Sequence, residues 1–213
     1  MKNLPQNHDI EAVFPAYSSQ GDGTYIYLRD GSCRLYPNQI RLVIRKLAKR
    51  QCKDIRLLRA QAARDTQHKQ GLTLGINADL VLVAFKVRRP RVEGDACFGY
   101  VNVSRHVELL KREKAAALCR AGLAMCSYGQ PAPCIQTPSG LQVAEMREYG
   151  PLHAEAQALL QLGSGRLLPS LWSYKTTHKY IQDGRAAHSR LLCELQGMLL
   201  QFQSENKHTA KLL

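Results

Sequence analysis

This sequence predicts an α+β fold: small antiparallel or mixed β-sheets built from hairpin–helix units, closed by a C-terminal amphipathic helix. Three observations carry that expectation. Leu80 to Phe85 is a continuous branched apolar run, long enough for a buried strand and too short to span a membrane. Asp30–Gly31 sits between two short strand-like runs, as in a β-hairpin. Arg185 to Phe202 places Leu191, Leu192, Leu195, Met198, Leu199 and Phe202 on one side of a helix.

Taken in order, residues 1–23 read as a lead-in, with Val13, Phe14 and Tyr17 docking onto the body. Thr24 to Tyr36 forms the hairpin, its two-residue Asp–Gly turn tolerating positive φ. Pro37 suits a first helical turn, and Ile40, Val43, Ile44 and Leu47 recur at helical spacing. Asp54 caps a second helix, with Ile55 and Leu58 inward, Arg56, Arg59 and Arg64 outward, and Gly71 as its stop. Leu72–Ile76, Leu80–Val87 and Phe98–Val103 read as strands. Val107 to Met125 reads as one alanine-rich helix, closed by Gly129, Pro131 and Pro133. Cys134 to Met146 suggests a second hairpin, and Pro151 opens a helix through Leu152, Ala156, Leu159 and Leu160. The expected division is a lead-in at 1–23, a binding domain at 24–162 and a C-terminal extension at 163–213. In the last of these, the Gly163-Ser164-Gly165 run reads as a linker and 204–213 as a frayed end.

The 213 residues can bury a substantial core. Charge is the unusual quantity: 30 Lys and Arg against 17 Asp and Glu give a formal +13. From Arg29 to Arg64 the basic residues are opposed only by Asp30 and Asp54. A field so lopsided favours a polyanion, most often nucleic acid and less often an anionic membrane surface. The seven cysteines are irregularly spaced with no C-x-x-C pair, and MKNLPQNHDI has no apolar signal core. Both features point to reduced, mostly buried thiols in a cytoplasm, and with the basic charge the expectation is a nucleoid-associated chain with no membrane partner.

Catalytic patterns fail in turn. No G-x-x-x-x-G-K-[ST] loop occurs, and Gly163-Ser164-Gly165 lacks a dinucleotide fingerprint. His153 and Glu155 lack the P-C-x-x-C that should follow them in a nucleotide deaminase. Asp79 precedes a strand, but no Glu-x-Lys follows it, so a metal nuclease is incomplete. His106, His153, His178 and His188 have no paired metal spacing. The expectation is therefore no enzyme, no cofactor and no metal. What remains is the segment LVLVAFKVRRPRVEGDACFGYVNV, residues 80–103. There Lys86, Arg88, Arg89 and Arg91 crowd a proline-braced loop between two strands. These four, with Arg56, Arg59 and Arg64 gripping the backbone, are the candidate DNA-binding residues. Trp172 and Tyr174 offer aromatic faces to bases, although such a pair more often packs.

LTLGI, LVLVAFKVRRPR and DACFGYVNVSRHV, then TPSGLQVAEMREYGPLHAEAQALL, resemble the central part of ComK-type competence transcription factors. The resemblance covers about residues 25–160, and the strand after the basic loop carries Gly99 where a Trp would be expected. It implies a transcriptional activator of DNA-uptake genes that binds AT-rich double-stranded DNA. It further implies action as a homo-oligomer and delivery to a regulated protease through an adaptor. The hairpin–helix units also resemble LytTR-type domains, an analogy of fold alone. The amphipathic C-terminal helix is compatible with self-association, although packing on its own domain is the commoner role. The alternatives are an RNA-binding or mobile-element nuclease accessory protein, and a basic module for an acidic protein.

Overall fold

Burial of one apolar strand on both faces organises the molecule. In the computed structural model, which describes residues 4–18, 21–66, 71–90, 93–111, 125–126 and 156–209, that strand is β1 (Ile10–Ser18). With β2 (Gly21–Leu28), β3 (Cys33–Tyr36), β4 (Leu74–Asn77), β5 (Leu80–Lys86) and β6 (Phe98–Asn102) it forms a six-stranded sheet in the order β3-β2-β1-β6-β5-β4. Every neighbouring pair in it is antiparallel. Residues 10–18 are thus an interior strand and not a lead-in. Pro15 is tolerated there because the pairing with β6 ends at Val13↔Tyr100, before its missing N–H would matter.

One face of this sheet packs under α1 (Ile40–Arg50) and α2 (Ile55–Thr66). Ile40, Val43, Ile44, Leu47 and Ala48 meet Ile10, Val13, Ile26, Leu80 and Leu82. Asp54 caps α2 by accepting from the Arg56 N–H at 2.7 Å, and the Arg56 hydrogen bonds hold its carboxyl below the usual range. α1 ends in a Schellman motif: Lys53 N–H bonds Ala48 O at 3.0 Å, Cys52 N–H bonds Lys49 O at 2.9 Å, and Cys52 takes φ 54°. The β2–β3 connection is longer than the two-residue turn expected. Leu28 still pairs with Ser32, and Gly31 at φ 81° completes a three-residue turn.

The other face carries a second sheet, β7 (Val107–Leu110), β8 (Met125–Cys126), β9 (Ala158–Leu162) and β10 (Arg166–Ser170), in the order β7-β9-β10-β8. Here two expectations are corrected. Val107–Leu110 is a strand, because pairing with β9 outweighs the helix preference of the alanines that follow. Ala158–Leu162 is also a strand, central and buried, and its apolar run fits either period. The second hairpin at 134–146 and the residues 112–124 and 127–155 lie outside the described residues. Gly163 to Gly165 is the β9–β10 turn, with Gly165 at φ 82°, so the boundary drawn at 162/163 cuts a hairpin. Glu11, buried at a β1 bulge, accepts from the Ser164 N–H at 3.0 Å and fastens this turn to the main sheet.

α3 (Tyr174–Thr209) is longer than the predicted helix, and its first half packs on the body. Thr177, Ile181 and Gly184 are buried there, and His188 Nε2 lies 2.9 Å from Ala78 O. From Leu192 onward every residue whose exposure is described is exposed. Cys33 is buried, and burial pushes its thiol pKa up; Cys52 and Cys193 are exposed, against the expectation of mostly buried thiols. No helix among the described residues is long and apolar enough to cross a membrane.

A Cβ at position 184 would run into Val83 and press on Val103 at 3.2 Å. Gly184→Ala should therefore cost about 1–3 kcal/mol, read as a lower urea midpoint. An unchanged midpoint would contradict the docking of α3 on β5.

Candidate nucleic-acid interface

The strand–loop–strand unit forms as expected, but its cations divide into structural and exposed ones. Arg88 is only 2% exposed. Its guanidinium meets Asp22 at 2.7 Å, donates from Nε to Ala96 O at 2.7 Å, and lies 3.8 Å from the centre of the Tyr17 ring. The Tyr17 hydroxyl bonds Asp95 in turn. Arg88 is thus a clamp between the root of the loop and the β1–β2 hairpin, not a group presented to a ligand. Charge counting along the loop missed this because Asp22 is 66 residues away. The pair is removed from water, so its attraction is far less screened than that of a surface pair.

Beyond the clamp, Arg89, Pro90, Glu93 and Gly94 are exposed, and Arg91 lies outside the described residues. Lys86 ends β5 half-buried, and strand alternation puts it on the same face as Leu80 and Leu82, the face covered by α1 and α2. Glu93 and Asp95 lie in the same loop, so its positive character is weaker than its arginines alone suggest.

Positive charge converges instead at Tyr100, which shares that face from β6. Burial pushes its phenol pKa up. Arg59 opposes this through its charge and the hydrogen bond it donates, and the charge of Arg41 adds to it. Arg41 also reaches Gly94 O at 3.5 Å, which brings the start of α1 to the loop. Arg41, Arg59 and the loop therefore meet around one phenol. Arg45 is exposed one turn along α1 from Arg41, and Arg56 is exposed one turn before Arg59, 3.3 Å from Asp54. Arg64 departs from this cluster: five residues beyond Arg59, it points roughly 140° away around the helix. Its guanidinium bonds Gln61 at 2.8 Å.

Sequence reasoning thus picked out Arg56 and Arg59 but omitted Arg41 and Arg45. Their i, i+4 spacing on the polar side of α1 was the available signal. Trp172 packs against Tyr180 at 4.4 Å and Phe98 at 5.7 Å between ring centres, and Tyr174 stacks on His178 at 6.2 Å. Trp172 remains half-buried, and Leu171 N–H bonds Lys86 O at 2.8 Å, so this aromatic group borders the basic end of β5. Among the described residues no group of three or more His, Cys, Asp or Glu is placed to hold a metal ion.

Gly99, at the position where the resemblance expects Trp, is closely packed. A Cβ there would stand 2.9 Å from Val87 and 3.3 Å from Phe14. The Phe14 ring, edge-on to Phe85 at 5.3 Å between ring centres, occupies the space a large side chain would need. No family model, curated protein or solved structure matches this chain.

The division of the loop cations is directly testable. Arg88→Ala leaves the part-buried Asp22 carboxylate without its partner and should cost about 3–5 kcal/mol, whereas exposed Arg89→Ala should cost no more than about 1 kcal/mol. Equal denaturation midpoints for the two variants would contradict the clamp.

Proposed function

We propose that this chain is a non-enzymatic double-stranded DNA-binding regulator of the ComK type, which engages AT-rich sites and activates DNA-uptake genes. The observation that carries the reading is the convergence of Arg41 and Arg59 on Tyr100 beside the β5–β6 loop. Around it residues 40–66 hold nine Lys and Arg against two Asp, and Arg41, Arg45, Arg56 and Arg59 are exposed. Guanidinium groups suit this task because each presents several donors in a rigid fork to phosphate oxygens. α1 and α2 hold these cations on regular secondary structure, so less backbone ordering is needed when the duplex docks. The AT-rich preference and the gene class rest on the sequence resemblance alone.

In this reading Arg41, Arg45, Arg56 and Arg59 contact the phosphate backbone. Arg89 and Lys86 approach the groove, where a narrow A-tract concentrates negative potential. Arg88 supports the loop from beneath.

A gel-shift titration against salt tests this proposal. Arg41→Ala and Arg59→Ala should each weaken binding to an AT-rich duplex and reduce the log–log salt slope by about one unit. Loss of neither affinity nor slope would overturn the surface. Tighter binding to structured RNA than to any duplex would overturn the choice of ligand.

A further inference from the structure

In the second half of α3, every residue whose exposure is described, 192–203, is exposed. Leu192, Leu195, Met198, Leu199, Leu200 and Phe202 are between 36% and 68% exposed. Leu192, Leu195, Leu199 and Phe202 follow one another at spacings of three, four and three, the seam of a two-helix coiled coil. A segment of about 18 residues with Gly197 in its middle is marginal as an isolated helix in water. An apolar partner on this seam would stabilise it.

Charge narrows the occupant. Residues 192–209 carry Glu194, Glu205 and Lys207, a net −1 with His neutral, which offers nothing to a phosphate backbone. A helix lying in a lipid surface would instead carry Lys and Arg along its polar face. The preceding half, 174–191, carries Lys175, Lys179, Arg185 and Arg190 against Asp183, a net +3. We infer that the occupant is the same segment of a second copy of this chain, running antiparallel. A parallel pair would set two basic bodies side by side at one end. The antiparallel pair places them at opposite ends and brings the acidic end of each helix toward the basic half of the other.

Pairing Leu195 with the second copy's Leu199 sets Leu192 opposite its Phe202 at each end of the seam. The Phe202 rings supply the largest apolar side chains of the seam, one at each end. This pairing stands apart from DNA binding, since it uses none of the residues assigned to the duplex.

Light scattering after size-exclusion chromatography of the full chain tests the pairing, with and without Leu195→Glu/Leu199→Glu. The wild type should run at twice the chain mass at tens of micromolar. The double variant should run as a monomer, with an unchanged near-ultraviolet spectrum showing that the body still folds. Phe202→Ala should weaken the dimer at least tenfold. A monomeric wild type, or a dimer indifferent to the double substitution, would overturn the proposal. Orientation is read by interprotein distances from spin labels at position 206. Antiparallel pairing puts the two labels more than 20 Å apart, and labels in near contact would overturn it.

Discussion

Asn102 ties the three strands on which everything else rests. Its side-chain oxygen accepts from the Val81 N–H at 3.0 Å and from Ser104, and its amide donates to Ile10 O and Asp79 O, each at 2.8 Å. One fully buried side chain thus bonds β1, β5 and the β4–β5 turn from its place at the end of β6. Its polar atoms are satisfied, so burial does not carry the penalty of an orphaned amide. A one-residue slip of β6 would unmake these bonds and exchange the faces of Val101 and Tyr100. The register sends Val101 into the core beneath the second sheet and Tyr100 toward α1 and α2.

From that register the candidate surface follows. Because Tyr100 points toward the helices, it can gather Arg59 and Arg41, and Arg41 can reach the loop. Since β5 continues without a bulge beside β6, Lys86 falls on the same side. Arg88, two residues further on, turns inward to Asp22, and one cation is given to holding the others in place. Tertiary structure therefore makes two kinds of arginine from a single basic run, one buried and paired, the other facing solvent.

Much of the frame was readable from the residues alone. Leu80–Lys86 and Phe98–Asn102 were legible because buried branched runs of that length have few other uses. α1 was legible from Ile40, Val43, Ile44 and Leu47, and α2 from Asp54. β1 was hidden because burial on both faces erases alternation and Pro15 interrupts the run. β7 was hidden because its partner β9 lies about fifty residues away, and β9, although it forms a local hairpin with β10, because its apolar run fits either period. At the site, Arg56 and Arg59 could be named from charge and helical spacing. Arg88 could not be sorted from Arg89, since only the distant Asp22 and Tyr17 distinguish them.

The central claim is that α1, α2 and the β5–β6 loop act as one DNA-binding surface. Arginine-specific chemical modification, read by mass spectrometry with and without an AT-rich duplex, tests it most directly. Arg41, Arg45, Arg56, Arg59 and Arg89 should lose reactivity together when the duplex is present. Arg185, whose guanidinium bonds Val107 O at the second sheet, should keep its reactivity. Protection of Arg185 with Arg41 and Arg59 still reactive would place the duplex on the other face of the molecule and contradict the account.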